Sequence, residues 1–169
     1  MKLYGALLIL MGSLLAGRQY ALSRRRELQC LTALCAALER MEAELASRAL
    51  PLTDLASLLA RETVKPASAF FVELSCLLSA LGERSFRELW QDAAPGTLSA
   101  LSAREMDAFC ELGAALGRYP LEKQTDAIRR CREALAARRE TVSCGLRDDL
   151  RLGWGLSAGL GFLLWILLI

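Results

Sequence analysis

The sequence LGWGLSAGLGFLLWILLI, residues 152–169, decides how the rest of the chain is organised. It contains no charged side chain, and as a helix rising about 1.5 Å per residue it would be roughly 27 Å long. This length is close to the ~30 Å hydrocarbon core of a bilayer. The stretch therefore predicts a C-terminal transmembrane helix over residues 151–169, with a core helix of a soluble protein as the alternative.

Two glycines inside this stretch, Gly155 and Gly159, have the spacing of the small-xxx-small pattern. Glycine lets two helix backbones approach closely in lipid, where packing rather than hydrophobic burial drives association. The pair is therefore a candidate helix-packing face in the membrane. The alternative is that glycine is simply frequent in membrane helices.

A second uncharged stretch, LYGALLILMGSLLAG, covers residues 3–17 between Lys2 and Arg18. Fifteen residues are few for a span, but flanking basic side chains can reach the headgroups, and the following residues extend the apolar part. The stretch predicts an N-terminal transmembrane helix within residues 1–22. A signal peptide is the alternative, although the small-x-small pattern of a cleavage site is missing, and whether the segment is cleaved stays open.

Arginines beside the two stretches predict the orientation of the chain, because basic residues accumulate on the cytosolic side of a membrane. On the flanks of the two stretches that face away from the middle of the chain, only Lys2 and the N-terminal amine carry positive charge. We therefore predict a cytosolic domain over residues 23–150, with both termini on the opposite side of the cell membrane. The arginines concerned are Arg18, Arg24, Arg25, Arg26, Arg138, Arg139, Arg147 and Arg151.

The cytosolic segment shows helical periodicity throughout, and no part of it alternates with the period of two expected for a strand. The predicted fold is all-α, a small helical bundle between two transmembrane helices, in which the first and last helices lie side by side. The predicted breaks are Pro51, Pro66, Gly82, Pro95-Gly96 and Gly117 to Pro120. The apolar stripes include Leu28, Leu31, Cys35, Leu38, Met41 and Leu45; Leu55, Leu58 and Leu59; Phe70, Phe71, Leu74 and Leu78; Met106, Phe109 and Leu116; and Ile128, Cys131, Leu135, Val142 and Leu146.

Two helix starts are predicted from S-x-x-E capping boxes, Ser85 with Glu88 and Ser102 with Glu105. In such a box the serine accepts a hydrogen bond from the glutamate backbone, and the glutamate side chain accepts one from the serine backbone. Trp90, near the end of the first of these helices, is predicted to be a core residue.

Composition excludes several classes of function. The chain has 169 residues, a net charge of +2 and no histidine, so histidine-based catalysis and histidine metal ligands are absent. The nearly balanced charge does not indicate nucleic-acid binding, which depends on an excess of basic residues. The six cysteines form no C-x-x-C, and there is no phosphate-binding loop. We therefore predict a protein without catalytic, cofactor-binding or metal-binding residues, whose role is binding or assembly.

The whole chain resembles the stage III sporulation protein AB family of endospore-forming bacteria. It departs from the family at Tyr119-Pro120, where an acidic residue is common, so a contact made by that acid is not expected in this chain. The residues that carry the resemblance are Lys2, Gly5, Gly17 and the arginines before Leu28, LERMEAEL at 38–45, Leu50-Pro51-Leu52, Leu89-Trp90, LGAALG at 112–117, Gln124 and Leu152-Gly153.

The resemblance implies a role that the residues alone do not define. The family is similar to the platform protein F of type II secretion systems, and belongs to a membrane complex between mother cell and forespore. It implies a scaffold subunit in the mother-cell membrane around the forespore, with other stage III sporulation membrane proteins and a cytosolic secretion-type ATPase as partners. A homo-oligomer is left open. A membrane-anchored sensor or adaptor is the alternative, and a membrane enzyme or transporter is disfavoured because the apolar stretches contain no charge.

The candidate partner surface is the turn before the last helix, with Arg118, Lys123 and Gln124 as its residues. This turn is predicted to lie far from the membrane if both of its helices lead back toward it. Gly113 and Gly117 are candidate helix-packing glycines, and Gly117 also suits the C-terminal cap of a helix.

Overall fold

The computed structural model describes the backbone of residues 2–48, 50–80, 82–116 and 118–168, and the side chains of residues 18–48, 50–79, 82–116 and 118–146. Its helices are α1 (Lys2–Arg48), α2 (Leu52–Glu62), α3 (Ala67–Leu77) followed by a 3₁₀ turn (Leu78–Ala80), α4 (Phe86–Thr97), α5 (Ala103–Leu116) and α6 (Leu121–Leu168). Across these described ranges no strand is present, and the all-α prediction is confirmed.

Within the described part of the chain, no helix is both long enough and apolar enough to cross a membrane. The side chains of the two apolar stretches are not among those described. The predicted spans, in residues 1–22 and 151–169, therefore stay predictions.

Helices α1 and α6 pack side by side and run antiparallel. Glu27 of α1 contacts Arg138 of α6, whereas Glu42, further along α1, contacts Arg129, which lies earlier on α6. The predicted adjacency of the first and last helices is confirmed. The shorter helices complete the bundle, since α2 packs on α3, α3 on α4, α4 on α5 and α5 on α6.

The core is a single cluster of buried apolar side chains to which all six helices contribute. The predicted stripes supply most of it, because residues three or four apart fall on one face of a helix. On α6, Ile128, Cys131, Leu135 and Val142 are buried. The largest fully buried side chains are Trp90, Phe70, Phe71 and Phe109.

Most of the helix ends agree with the predicted signals. The backbone amide of Glu88 donates to Ser85 Oγ at 3.4 Å, and the amide of Ser85 donates to Glu88 Oε2 at 3.3 Å, so this capping box is confirmed. After the 3₁₀ turn, Gly82 has φ of 116°, a left-handed conformation that glycine adopts without the steric cost of a Cβ.

One predicted helix end is wrong, and one predicted capping box does not form, although α5 begins directly after Ser102 as predicted. Helix α4 continues past Pro95-Gly96 to Thr97. Proline removes only the one hydrogen bond that its missing N–H would donate, and the amide of Leu98 still donates to the carbonyl of Ala94 at 2.9 Å. Among the described contacts, Ser102 and Glu105 do not form reciprocal backbone bonds. The Ser102 hydroxyl instead donates to the Glu105 carboxylate, which is buried.

Candidate interaction surface

The turn between α5 and α6 is closed by backbone hydrogen bonds on both sides. The amide of Tyr119 donates to the carbonyl of Ala115 at 3.2 Å, which ends α5. The amide of Gln124 donates to the carbonyl of Pro120 at 3.1 Å, which begins α6. Pro120 therefore directly precedes the first helical residue, Leu121, as the N-cap. Gly117 lies outside the described residues.

The three predicted residues of the partner surface have different surroundings. Arg118 and Lys123 are exposed, and Lys123 Nζ lies 5.6 Å from the centre of the Tyr119 ring, within the range of a cation–π contact. Gln124 is half-buried, and its Nε2 donates to the carbonyl of Tyr119 at 2.7 Å. The structure thus places Arg118 and Lys123 toward solvent, while Gln124 holds the turn together.

Tyr119 is the residue of this surface that sequence reasoning missed. It is 46% exposed, and Leu121, which the sequence prediction also did not name, is 41% exposed. The only sequence signal was the position of Tyr119 next to a helix-starting proline. We call Arg118, Tyr119, Leu121 and Lys123 the tip surface.

Open grooves lie on both sides of Tyr119. A groove of about 700 Å³ runs between α5 and α6, with Ala115 and Ala127 among its small residues and Asp126 among its charged ones. A groove of about 550 Å³ lies between α4 and α5 and includes Arg87. Tyr119 lines both grooves, as do Glu111 and Ala115 of α5, so it forms part of the ridge between them. An exposed ring between two grooves, flanked by cations, suits contact with another protein.

Gly113, a predicted helix-packing glycine, faces the side chain of Trp90. A Cβ added at Gly113 would lie 2.3 Å from Trp90 Cγ and 2.8 Å from Trp90 Cβ, closer than real side chains approach. The Trp90 indole N–H also donates to the backbone carbonyl of Phe109, one turn before Gly113, at 2.9 Å. The indole ring of Trp90 therefore sets the distance between helices α4 and α5 at this point.

The other predicted glycine pair, Gly155 and Gly159, lies within the bounds of α6. The surroundings of both glycines are outside the described residues. Their role as a packing face in the membrane stays a prediction.

A buried charge cluster joins α1, α5 and α6. Arg138 donates to Glu27 Oε1 through Nη2 at 2.7 Å and through Nε at 3.1 Å, and its Nε lies 3.7 Å from Glu105 Oε1. Arg24 Nη1 pairs with the second oxygen of Glu27 at 3.0 Å. Glu27 and Glu105 are each only 9% exposed. Buried carboxylates need such partners, because an unpaired buried charge is costly.

Burial disfavours the thiolate form of four cysteines. Burial raises the pKa of Cys30 to about 11 and that of Cys131 to about 12, and it also raises the pKa of Cys35 and Cys110. These thiols are protonated at neutral pH, whereas nucleophilic attack and metal binding require the thiolate. In the described ranges, no three cysteine or carboxylate side chains are grouped so as to hold a metal ion.

The comparison with protein families and the comparison with solved structures give the same family name. The family described as "Stage III sporulation protein AB (spore_III_AB)" matches residues 2–169 of the chain. A solved structure titled "Stage III sporulation protein AB (SpoIIIAB)" shares the fold with a TM-score of 0.64 at 22% identity. The match covers 72% of this chain and 97% of the solved one. Among curated proteins, none matches this sequence significantly.

Proposed function

The chain belongs to the stage III sporulation protein AB family, and from this premise we propose that it is a non-enzymatic scaffold subunit of a secretion-like membrane complex required for endospore formation. Family membership supports the role in sporulation. The finer role, a platform that holds a cytosolic partner, is supported by the position and the composition of the tip surface.

The position of the tip surface carries the proposal. Because α1 and α6 are antiparallel, the start of α6 lies at the opposite end of the pair from the two apolar stretches. Residues 124 and 152 are 28 positions apart on α6, which at about 1.5 Å per residue corresponds to roughly 42 Å. If residues 1–22 and 151–169 cross the membrane, the tip surface points away from it into the cytosol.

The composition of the tip surface fits a protein partner. Aromatic and arginine side chains dominate the binding energy of many interfaces, and Tyr119 and Arg118 are both exposed here. The proposed partner is a secretion-type ATPase on the cytosolic side. Other stage III sporulation membrane proteins would contact the spans, with Gly155 and Gly159 as the proposed packing face.

The proposed orientation rests on the arginines at the inner ends of the apolar stretches. In a variant whose native cysteines are replaced, Arg87→Cys should resist an impermeant maleimide in intact cells and react after permeabilisation. Labelling in intact cells would place the bundle outside the cytosol and would contradict the proposal.

Charge reversal tests the partner surface. Arg118→Glu with Lys123→Glu should reduce co-purification of the ATPase and sporulation efficiency by at least about tenfold, because a reversed charge replaces attraction by repulsion at the interface. Both side chains are exposed, so the helical content should not change. The matched control is Arg61→Glu with Lys65→Glu, an equal charge change at exposed positions in the last turn of α2 and in the loop after it.

The control variant should recruit the ATPase and sporulate like the wild type. If both double variants behave like the wild type, the ATPase docks elsewhere. If both lose recruitment equally, net charge and not the tip surface is responsible, which also contradicts the proposal.

A further inference from the structure

The first exposed turns of α1 carry a basic face directed away from the bundle. Arg18, Leu22 and Arg25 are spaced four and three residues apart, so they share one side of the helix. All three are exposed, as is Arg26 beside them, and Leu22 is 45% exposed. The opposite side of α1 faces the bundle through buried residues such as Glu27, Leu31 and Leu34. We call Arg18, Leu22, Arg25 and Arg26 the basic face.

Arg24 belongs to the same run of arginines, but it pairs with side chains of its own helix. Its Nη1 pairs with Glu27 at 3.0 Å, its Nε donates to the Tyr20 hydroxyl at 3.1 Å, and its guanidinium lies over the Tyr20 ring. Within the described residues, Arg25 and Arg26 have no carboxylate within ion-pair distance, although they belong to the same run. One arginine of the run therefore pairs within the bundle, while Arg25 and Arg26 are exposed.

We propose that the basic face binds the phosphate groups of anionic phospholipids at the cytosolic surface of the membrane. The inference rests on the proposed membrane anchoring, since it needs residues 1–22 to enter the bilayer. Arg25 and Arg26 are then three and four residues beyond the end of the span, which corresponds to roughly 5–6 Å and to the level of the headgroups.

The order of residues on the basic face favours a lipid surface over a soluble anion or a nucleic acid. An exposed leucine lies between the arginines, and the face continues directly into the uncharged stretch of residues 3–17. Such an arrangement lets leucine enter the acyl boundary while arginines reach the phosphates. Helix α6 contributes to the same level, because Arg139 is exposed next to Arg138, the partner of Glu27.

The test measures lipid preference with the full chain reconstituted in mixed phosphatidylcholine–phosphatidylglycerol bilayers. Spin-labelled phosphatidylglycerol and spin-labelled phosphatidylcholine, added to separate samples, report how much of each lipid is motionally restricted at the protein. We expect the anionic lipid to be preferred by up to roughly fivefold for each contributing arginine, and the preference to shrink with salt.

The variant Arg18→Gln, Arg25→Gln, Arg26→Gln should lose most of that preference. The matched control Arg61→Gln, Arg87→Gln, Arg104→Gln removes the same charge from exposed positions elsewhere on the bundle and should keep it. Equal preference in the two triple variants would overturn the inference. Potassium phosphate should act like potassium chloride of equal ionic strength, and selective loss of the preference in phosphate would assign the face to a soluble anion instead.

Alkaline extraction of the same vesicles separates this inference from the proposed anchoring. Wild-type protein that resists extraction but shows no lipid preference contradicts the inference alone. Protein that alkaline extraction removes contradicts the anchoring and with it this inference, whatever lipid preference the protein shows.

Discussion

The aromatic cluster among α3, α4 and α5 and the long pair of α1 and α6 are held together in different ways. In the cluster, Phe70 contacts Trp90 and Phe109 edge to face, with ring centres 4.8 and 5.0 Å apart. Trp90 also contacts Phe109, with ring centres 4.9 Å apart, and it is the side chain that Gly113 approaches closely. The packing of three helices is thus concentrated at a single point.

Contacts between α1 and α6 are instead spread along their length. The buried side chains here are aliphatic or small, such as Leu34 and Cys131, and no aromatic ring is among the buried residues described on either helix. Ion pairs connect the two helices at two levels, Arg138 with Glu27 and Arg129 with Glu42. An interface of small, similar side chains specifies the register of two helices weakly, whereas a paired buried charge specifies it strongly. The comparison teaches that shape positions the short helices and charge aligns the long ones.

The largest expected effect is that of Trp90→Ala, which should lower the free energy of unfolding by about 3–5 kcal/mol. The substitution removes a fully buried side chain and the hydrogen bond to the carbonyl of Phe109. The measurement is urea unfolding of the full chain in mild detergent, followed by circular dichroism. Trp90→Phe should recover most of the loss, and a loss below about 1 kcal/mol for Trp90→Ala would contradict the central role of the ring.

Arg138→Met should have the next largest effect and should act on the long helix pair. It leaves the buried carboxylates of Glu27 and Glu105 without their shared cation, although Arg24 still contacts Glu27. Because the Arg138 side chain is 32% exposed, we expect a loss of about 1–3 kcal/mol, below the cost at a fully buried pair.

The control for Arg138→Met is Arg84→Met, which removes an ion pair with Asp92 that is exposed on both sides. Exposed pairs contribute about 0–1 kcal/mol, so this variant should unfold nearly like the wild type. Equal losses in the two variants would show that the charges between α1 and α6 are no more important than surface charges.

Gly113→Ala should cost about 1–2 kcal/mol, since the added methyl overlaps Trp90 and the gain in helix propensity offsets only part of the strain. A double-mutant cycle sharpens the test. With Trp90→Leu in the background, the alanine should become neutral or stabilising, because the ring that it overlaps is gone. Additive costs in the cycle would mean that the two residues do not constrain each other.

The smallest expected effect concerns two buried thiols, Cys30 on α1 and Cys131 on α6, and it appears only at alkaline pH. The pKa of Cys131 is raised by burial from 9.0 to about 12, and that of Cys30 from 9.0 to about 11. Above pH 9 the unfolded thiols ionise while the folded ones keep their protons, so stability should fall as pH rises through this window.

Urea unfolding at several pH values above 8 measures this dependence. The variant Cys30→Ala, Cys131→Ala should lose less stability than the wild type over the same pH range. Parallel pH profiles for the two proteins would show that the thiols do not take part.

Local features could be predicted from the sequence because they depend on neighbouring residues. The stripes on α1 and α6, the breaks at Pro51 and Pro66 and the Ser85 capping box are all of this kind. Pro95 was misjudged because a proline in the last turn removes one hydrogen bond that the end of a helix tolerates losing. At the tip, the exposure of Arg118 and Lys123 agrees with their charge.

The sequence by itself determined the helices, their order, the family, and the two apolar stretches that suggest a membrane. Only the tertiary structure decided that Gly113 receives the ring of Trp90, that Tyr119 forms part of the ridge between two grooves, and that Arg138 pairs with Glu27 across 111 residues of sequence. Periodicity records which face of a helix is apolar, because that property repeats every 3.6 residues. It does not record which side chain lies opposite, because that depends on how distant helices align in space.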